Sequence, residues 1–213
     1  MTSTTAGDTH PPARRRSALT VLIVFLVSLA PVVAAVVFYL NPQWWPRDGS
    51  NYGALIEPQR DLPGPGQLPL ATLDGQPYDL RQLRGKWLLM TADGGACPDS
   101  CARKLFIIRN THASQGKNVD RVARVWFITD DAPVPSKVLD AYVGTVMVRA
   151  RPEQLAAFLL EAGADPATAS GALAGPMWLV DPLGHLMLRF PPDADPVKVR
   201  SDLSKLIYNS RIG

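Results

Sequence analysis

From Ala18 to Leu40 the chain reads ALTVLIVFLVSLAPVVAAVVFYL, 23 residues without a charge. As a helix rising about 1.5 Å per residue this run is about 34 Å long, enough to cross the hydrocarbon core of a bilayer. Arg14, Arg15 and Arg16 precede it, and Tyr39, Trp44 and Trp45 follow. That is the order of a single-pass anchor whose basic end stays in the cytoplasm and whose aromatic end lies at the far interface. A cleaved signal peptide is the competing reading. Its apolar core is usually about 7–15 residues, and Ala34 and Ala35 make a weak cleavage site, so the anchor is preferred. Pro31, near the middle of the run, is tolerated in a membrane helix.

The anchor explains the charge balance. Of the net +3, +2 lies before the apolar run, where the three arginines face Asp8, and the rest of the chain is nearly neutral. Nothing here makes a basic surface, and no nucleic-acid partner is expected. The chain divides into a cytoplasmic tail (1–17), a transmembrane helix (18–40), a Pro-rich tether (41–67) and a folded domain (68–213). The first 13 residues are polar and are expected to be disordered. Six prolines between Asn41 and Pro69 predict a stiff, extended tether that holds the domain away from the bilayer.

Within the domain, Leu70–Tyr78 reads as a short hairpin turning at Asp74-Gly75, and Asp79–Arg84 as a short helix closed by Gly85. Lys86–Ala92 and Arg124–Thr129 are continuous apolar runs of strand length, suited to central strands covered on both faces. Between them a helix is expected from Ala102 to about Ser114. Ser136 caps a helix through Val143, Thr145–Val148 is a third strand, and Pro152–Ala162 is a helix with proline at its first turn and Gly163 at its end. Pro176–Val180 and His185–Phe190 form an antiparallel hairpin around Asp181–Gly184, and a last helix runs from Pro196 to Tyr208. Strand, helix, strand, helix, hairpin, helix is an α/β sandwich on a mixed sheet.

The only two cysteines of the chain, Cys97 and Cys101, follow the first apolar strand and the loop Gly94-Gly95. With Pro98 at the first helical position, Cys97 falls at an N-cap, where free amides and the positive helix end favour a thiolate. Cys101 lies one turn on, on the same face, so the sulfurs can meet. A plain stabilising disulfide is one reading, but so small a loop gains less than the ~3 kcal/mol estimated for a 15-residue loop. Two others remain open. Cys97 can attack and Cys101 resolve in disulfide exchange, or two thiolates can ligate Cu(I) with a third donor. Arg103 and Lys104 add positive charge nearby, and Asp99 opposes it. Every active reading needs the two sulfurs together at the front of the helix and open to solvent.

The segments LDGQPYDLRQLRGKWLLM (73–90), CPDSC (97–101), RVARVWFITD (121–130) and LVDPLG (179–184) resemble, in this order, the SCO/SenC family. Its members are membrane-anchored, thioredoxin-like proteins that assist copper-centre assembly in cytochrome c oxidase. The similarity spans about residues 68–208, and the CPDxC element is its most specific part. The resemblance implies a thioredoxin-like fold with an N-terminal hairpin extension, preceded by one transmembrane helix. It places the chain in the bacterial inner membrane with the domain periplasmic. Partners would be a cytochrome c oxidase subunit or other assembly factors, and Cu(I) is the metal the family handles.

In that family a distant histidine, just before the strand leading into the Asp-Pro-x-Gly turn, completes a copper site with the two cysteines. The corresponding stretch here, Ser170–Pro176, has no histidine. His185 lies beyond the turn, roughly 15 Å or more from the cysteines, His112 lies about 16 Å along the helix, and His10 is across the membrane. Pro176 is similar to the cis-proline that faces the cysteines in thioredoxins, so a cis Gly175–Pro176 bond is favoured, the alternative being an ordinary trans proline at a strand start. Met177 is a weak thioether donor for Cu(I) if it is not simply core. The sequence therefore predicts an SCO-like assembly factor with Cys97, Cys101 and Pro176 at its site, acting by thiol-disulfide exchange. The alternatives are a copper carrier using Cys97 and Cys101, or a scaffold with idle cysteines.

Overall fold

The computed structural model describes residues 14–44, 51–160 and 168–210. The tail 1–13 with His10, the interface residue Trp45 and the helix terminator Gly163 lie outside the described residues. Helix α1 (Arg14–Leu40) contains Pro31 without interruption. Its residues from Ala18 to Leu40 are exposed along their whole length, with a mean hydropathy of 3.0. Among the described residues it is the one helix long and apolar enough to span a membrane.

Residues 50–213 form a separate compact unit. Its strands are β1 (Ala54–Asp61), β2 (Leu70–Thr72), β3 (Pro77–Tyr78), β4 (Trp87–Asp93), β5 (Val122–Ile128), β6 (Val146–Arg149), β7 (Met177–Val180) and β8 (His185–Phe190). Its helices are α2 (Asp99–Ala113), α3 (Ser136–Ala141), α4 (Pro152–Leu159), α5 (Ala169–Ala174) and α6 (Pro196–Asn209). The strands make one sheet in the order β1-β8-β7-β4-β5-β6-β2-β3. β4, β5 and β6 are parallel and the remaining pairs antiparallel.

Alternation along the central strands builds two cores. Leu88, Met90 and Ala92 of β4 join Val125, Phe127 and Trp178 on one face, where Leu155 and Leu159 of α4 and Leu173 of α5 cover them. Trp87 and Leu89 face the other way with Trp126, Ile128 and Leu179, under Leu105 and Ile108 of α2 and Val199 and Leu203 of α6. Both faces are apolar because helices cover both, which is why β4 reads as an unbroken apolar run. The expected hairpin is present: Gly75 takes φ +81° at the turn, and β2 pairs with β6 as well as β3. A short 3-10 helix (Leu80–Leu83) follows, capped by the Asp79 side chain on the Arg81 amide.

Two elements depart from the sequence reading. Residues 54–61, expected inside the tether, form edge strand β1 against β8. The sequence hides it because Pro58 interrupts the run and the exposure does not alternate, both compatible only with an edge position. The segment just before β1 is fastened by Asp202 of α6, which is buried and accepts the amides of Tyr52 (2.7 Å) and Gly53 (2.8 Å). The second departure is α5, five small residues and Leu173, anchored by buried Ala169 and Leu173.

Replacing Asp202 by Ala leaves two amides without their charged acceptor. We expect a loss of about 2–3 kcal/mol in urea unfolding of the detergent-solubilised protein, with earlier proteolysis within residues 54–61.

Candidate functional site

Parallel pairing sets Asp93 of β4 level with Ile128 of β5, so the loops following these strands leave the sheet at the same end. β7 runs antiparallel to β4 and pairs Met177 with Thr91, which brings Pro176 to that end as well. The site therefore collects three segments: Gly94–Cys101, Thr129–Pro135 and Ala174–Met177.

The Gly94-Gly95 turn is packed against the second of these. Asp130 accepts the Gly95 amide at 2.7 Å and the Ala132 amide at 3.1 Å through Oδ1. A Cβ on Gly95 would lie 2.2 Å from the Ala132 carbonyl oxygen, and one on Gly94 would lie 2.5 Å from Asp130 Oδ2. Only glycine fits such an approach. Arg149, at the end of β6, donates to the carbonyls of Asp130 and Ala132 and holds that loop in turn.

The chain then reaches Cys97, whose φ of +45° is unusual for any residue with a side chain. Pro98, not Cys97, is the N-cap of α2; it lacks an N–H to leave unpaired and accepts the Ala102 amide through its carbonyl. Asp99 opens the first turn, where a carboxylate suits the helix dipole. Cys97 and Cys101 are joined in a disulfide with their Cα atoms 5.1 Å apart. Cys97 keeps 9% of its surface exposed between exposed Ala96 and Pro98, while Cys101 is sealed at 0%. The expectation that both sulfurs open to solvent is thus corrected: the helix turns Cys101 inward, and only Cys97 reaches the rim.

Pro176 follows α5 and precedes β7. The Gly175–Pro176 bond is trans, which corrects the expected cis geometry; among the described residues the cis bond is Glu57–Pro58. Met177 is 1% exposed and belongs to the same buried cluster as both cysteines.

A feature the sequence did not signal lies beneath the disulfide. Arg103 points outward, but Lys104 is buried, with its Nζ 3.0 Å from Asp93 Oδ2 and donating to the carbonyls of Ala92 (2.9 Å) and Ala174. Burial pushes the Lys104 ammonium below the ordinary lysine range, and the Asp93 charge opposes that. The clue available was Asp93 itself, a charge ending an apolar strand. The histidines are elsewhere. His185 Nδ1 lies 3.1 Å from Asp181 Oδ2, with Asp61 beyond its other nitrogen. His112, on α2, is held below the ordinary imidazole range first by burial and then by the Arg124 charge. Among the described residues no group of three His, Cys, Asp or Glu side chains could hold a metal.

A parallel β4–α2–β5 unit with an antiparallel β7–β8 hairpin on its other flank, and a Cys-x-x-x-Cys disulfide at the head of the first helix, defines a thioredoxin-fold protein. The model of the family of transmembrane-like, thioredoxin-like C-terminal domains matches residues 87–210, and the chain belongs to that family. Solved structures share the fold. BsSco, a member of the Sco family of cytochrome c oxidase assembly proteins in which a disulfide switch was identified, is 16% identical with a TM-score of 0.51 over 73% of this chain and 99% of that one. Apo Sco1 from Thermus thermophilus is 15% identical with a TM-score of 0.50 over 76% and 99%. Copper-bound ScoI from Bradyrhizobium japonicum is 18% identical with a TM-score of 0.44 over 72% and 98%. No curated protein matches the chain.

The Gly95 contact yields a direct test. Gly95→Ala should cost about 1–3 kcal/mol through overpacking, read as a fall of several degrees in Tm. Gly66→Ala, whose added Cβ meets nothing within 4 Å, should leave Tm in place.

Proposed function

We propose that this chain is a membrane-anchored, SCO-like assembly factor for cytochrome c oxidase that works by thiol-disulfide exchange through Cys97 and Cys101. The observation that carries the reading is the asymmetry of the pair, with Cys97 at the rim and Cys101 sealed one turn behind it. This is the arrangement of an attacking and a resolving sulfur.

Starting from the dithiol, the Cys97 thiolate attacks a client disulfide, forms a mixed disulfide and releases one client thiolate. Cys101 then attacks Cys97 Sγ and releases the second. Two electrons pass to the client, which ends as a dithiol such as a copper site requires, and the chain ends with the Cys97–Cys101 disulfide seen here. An external dithiol reductant returns it to the starting state. Pro176 borders the site as backbone that a client peptide meets. The domain lies on the periplasmic side of a bacterial inner membrane and the N-terminus in the cytoplasm, by Arg14, Arg15 and Arg16 ahead of the apolar run and by the oxidising conditions in which such a disulfide persists.

Cu(I) carriage by the same two thiolates is the second reading. It is favoured by Met177, a thioether in the same buried cluster, and copper would be cargo.

Cys101→Ser should trap a mixed disulfide between Cys97 and a disulfide-bearing client peptide, visible by non-reducing electrophoresis, whereas Cys97→Ser should trap none. Anaerobic Cu(I) titration of the reduced protein should show at most weak binding. Tight one-to-one binding lost in Cys97→Ser would put the copper carrier first. Normal oxidase maturation in cells carrying both serine substitutions would leave only a scaffold.

A further inference from the structure

We propose that Lys104 is a positioning residue for this site: its buried ammonium fastens the turn Ala174–Pro176 to the end of β4 and sets the spacing between the disulfide and the backbone that a client meets. The proposal rests on the thiol-exchange reading above.

The β4–β7 ladder ends where Thr91 pairs with Met177. The next residue of the β7 segment is Pro176, which has no N–H to continue the ladder toward Ala92. Sheet pairing therefore does not fix the turn against the cysteine segment. Lys104 supplies the connection. It sits three residues after Cys101 and so on the same side of α2. Its ammonium donates to the Ala92 carbonyl at the end of β4 and to the Ala174 carbonyl, and pairs in charge with Asp93 Oδ2 at 3.0 Å. The turn also abuts Pro192, whose Cγ would lie 3.0 Å from a Cβ on Gly175.

Packing alone does not call for this charge. The side chain is 3% exposed and its partner Asp93 8%. Burying two ions carries a desolvation penalty of several kcal/mol each, which an apolar residue of similar size avoids. A neutral aliphatic chain could fill the space but could not donate to the two carbonyls. Asp93 offsets the buried cation and also accepts the Gly94 amide at 3.0 Å, so the pair joins the Pro176 turn to the loop that leads into Cys97.

The test uses the full chain in detergent, reduced with dithiothreitol, desalted, and mixed with excess synthetic peptide carrying one internal disulfide. Release of peptide thiols is followed against peptide concentration. The double variant Lys104→Met, Asp93→Asn removes both charges without stranding either. It should keep the limiting rate, with a Tm lowered by the two carbonyls that lose their donor, while its half-saturating peptide concentration rises about tenfold, the loss of one charge-assisted anchor. Asp93→Asn alone keeps the Oδ1 that accepts the Gly94 amide and the carbonyl bonds of the ammonium, so although loss of the counter-charge lowers its Tm it should saturate like the wild type. Lys104→Gln serves as the second probe should the double variant fail to fold, with the same rise expected. Wild-type saturation in the variants lacking the ammonium, or an equal rise in Asp93→Asn, overturns the proposal. A wild-type chain that transfers no electrons to the peptide overturns the exchange reading itself and this proposal with it.

Discussion

Parallel pairing of β4 with β5 is the constraint on which the rest depends. By setting Asp93 beside Ile128, it delivers the Gly94-Gly95 turn and the Asp130–Ala132 turn to the same end of the sheet within contact distance. One carboxylate, Asp130, then bonds the Gly95 amide, and a carbonyl so close that no side chain could intervene holds the second glycine. The path into Cys97 is thereby fixed before α2 begins. A shift of one residue in this pairing would turn each apolar side chain of β4 to the opposite core, so the two cores and the site are specified together.

Burial divides the labour of the two sulfurs. The rigid helix carries Cys101 beneath the first turn, while the left-handed backbone at Cys97 leaves that residue at the rim. The interior below them is not wholly apolar. Lys104 and Asp93 place opposite, buried charges where β4 ends before the cysteine loop. Such a pair is weak evidence for stability because desolvation consumes much of its attraction. Its geometric effect is firmer, because an ammonium bonded to two carbonyls and charge-paired with Asp93 holds the segments that supply them at fixed separation.

Much of the architecture was legible from local patterns. The unbroken apolar runs at β4 and β5, the Asp-Gly turn, the prolines at the starts of α4 and α6 and the Asp181–Gly184 hairpin each correspond to an observed element within one or two residues. The cysteine spacing likewise announced sulfurs that meet. Less legible were elements stabilised only by distant partners. β1 carries a proline and no alternating pattern, and exists because β8 and Asp202 receive it. α5 is five small residues and Leu173, held by buried Ala169 and Leu173. Lys104 read as surface charge because, in sequence, a lysine beside an arginine gives no sign of facing inward.

The sequence by itself determined what depends on composition and short spacing: an apolar helix long enough to span a bilayer, the order of the central strands and the longer helices, and a cysteine pair one helical turn apart. Those properties are carried by neighbouring residues, whose backbone geometry repeats wherever such residues occur. Tertiary structure alone decided which cysteine keeps a margin of exposed surface, the trans bond at Pro176, the recruitment of residues 54–61 to the sheet edge, and the burial of Lys104 against Asp93. Each of these turns on contacts between segments far apart in the chain, and only the assembled sheet brings those partners within bonding distance.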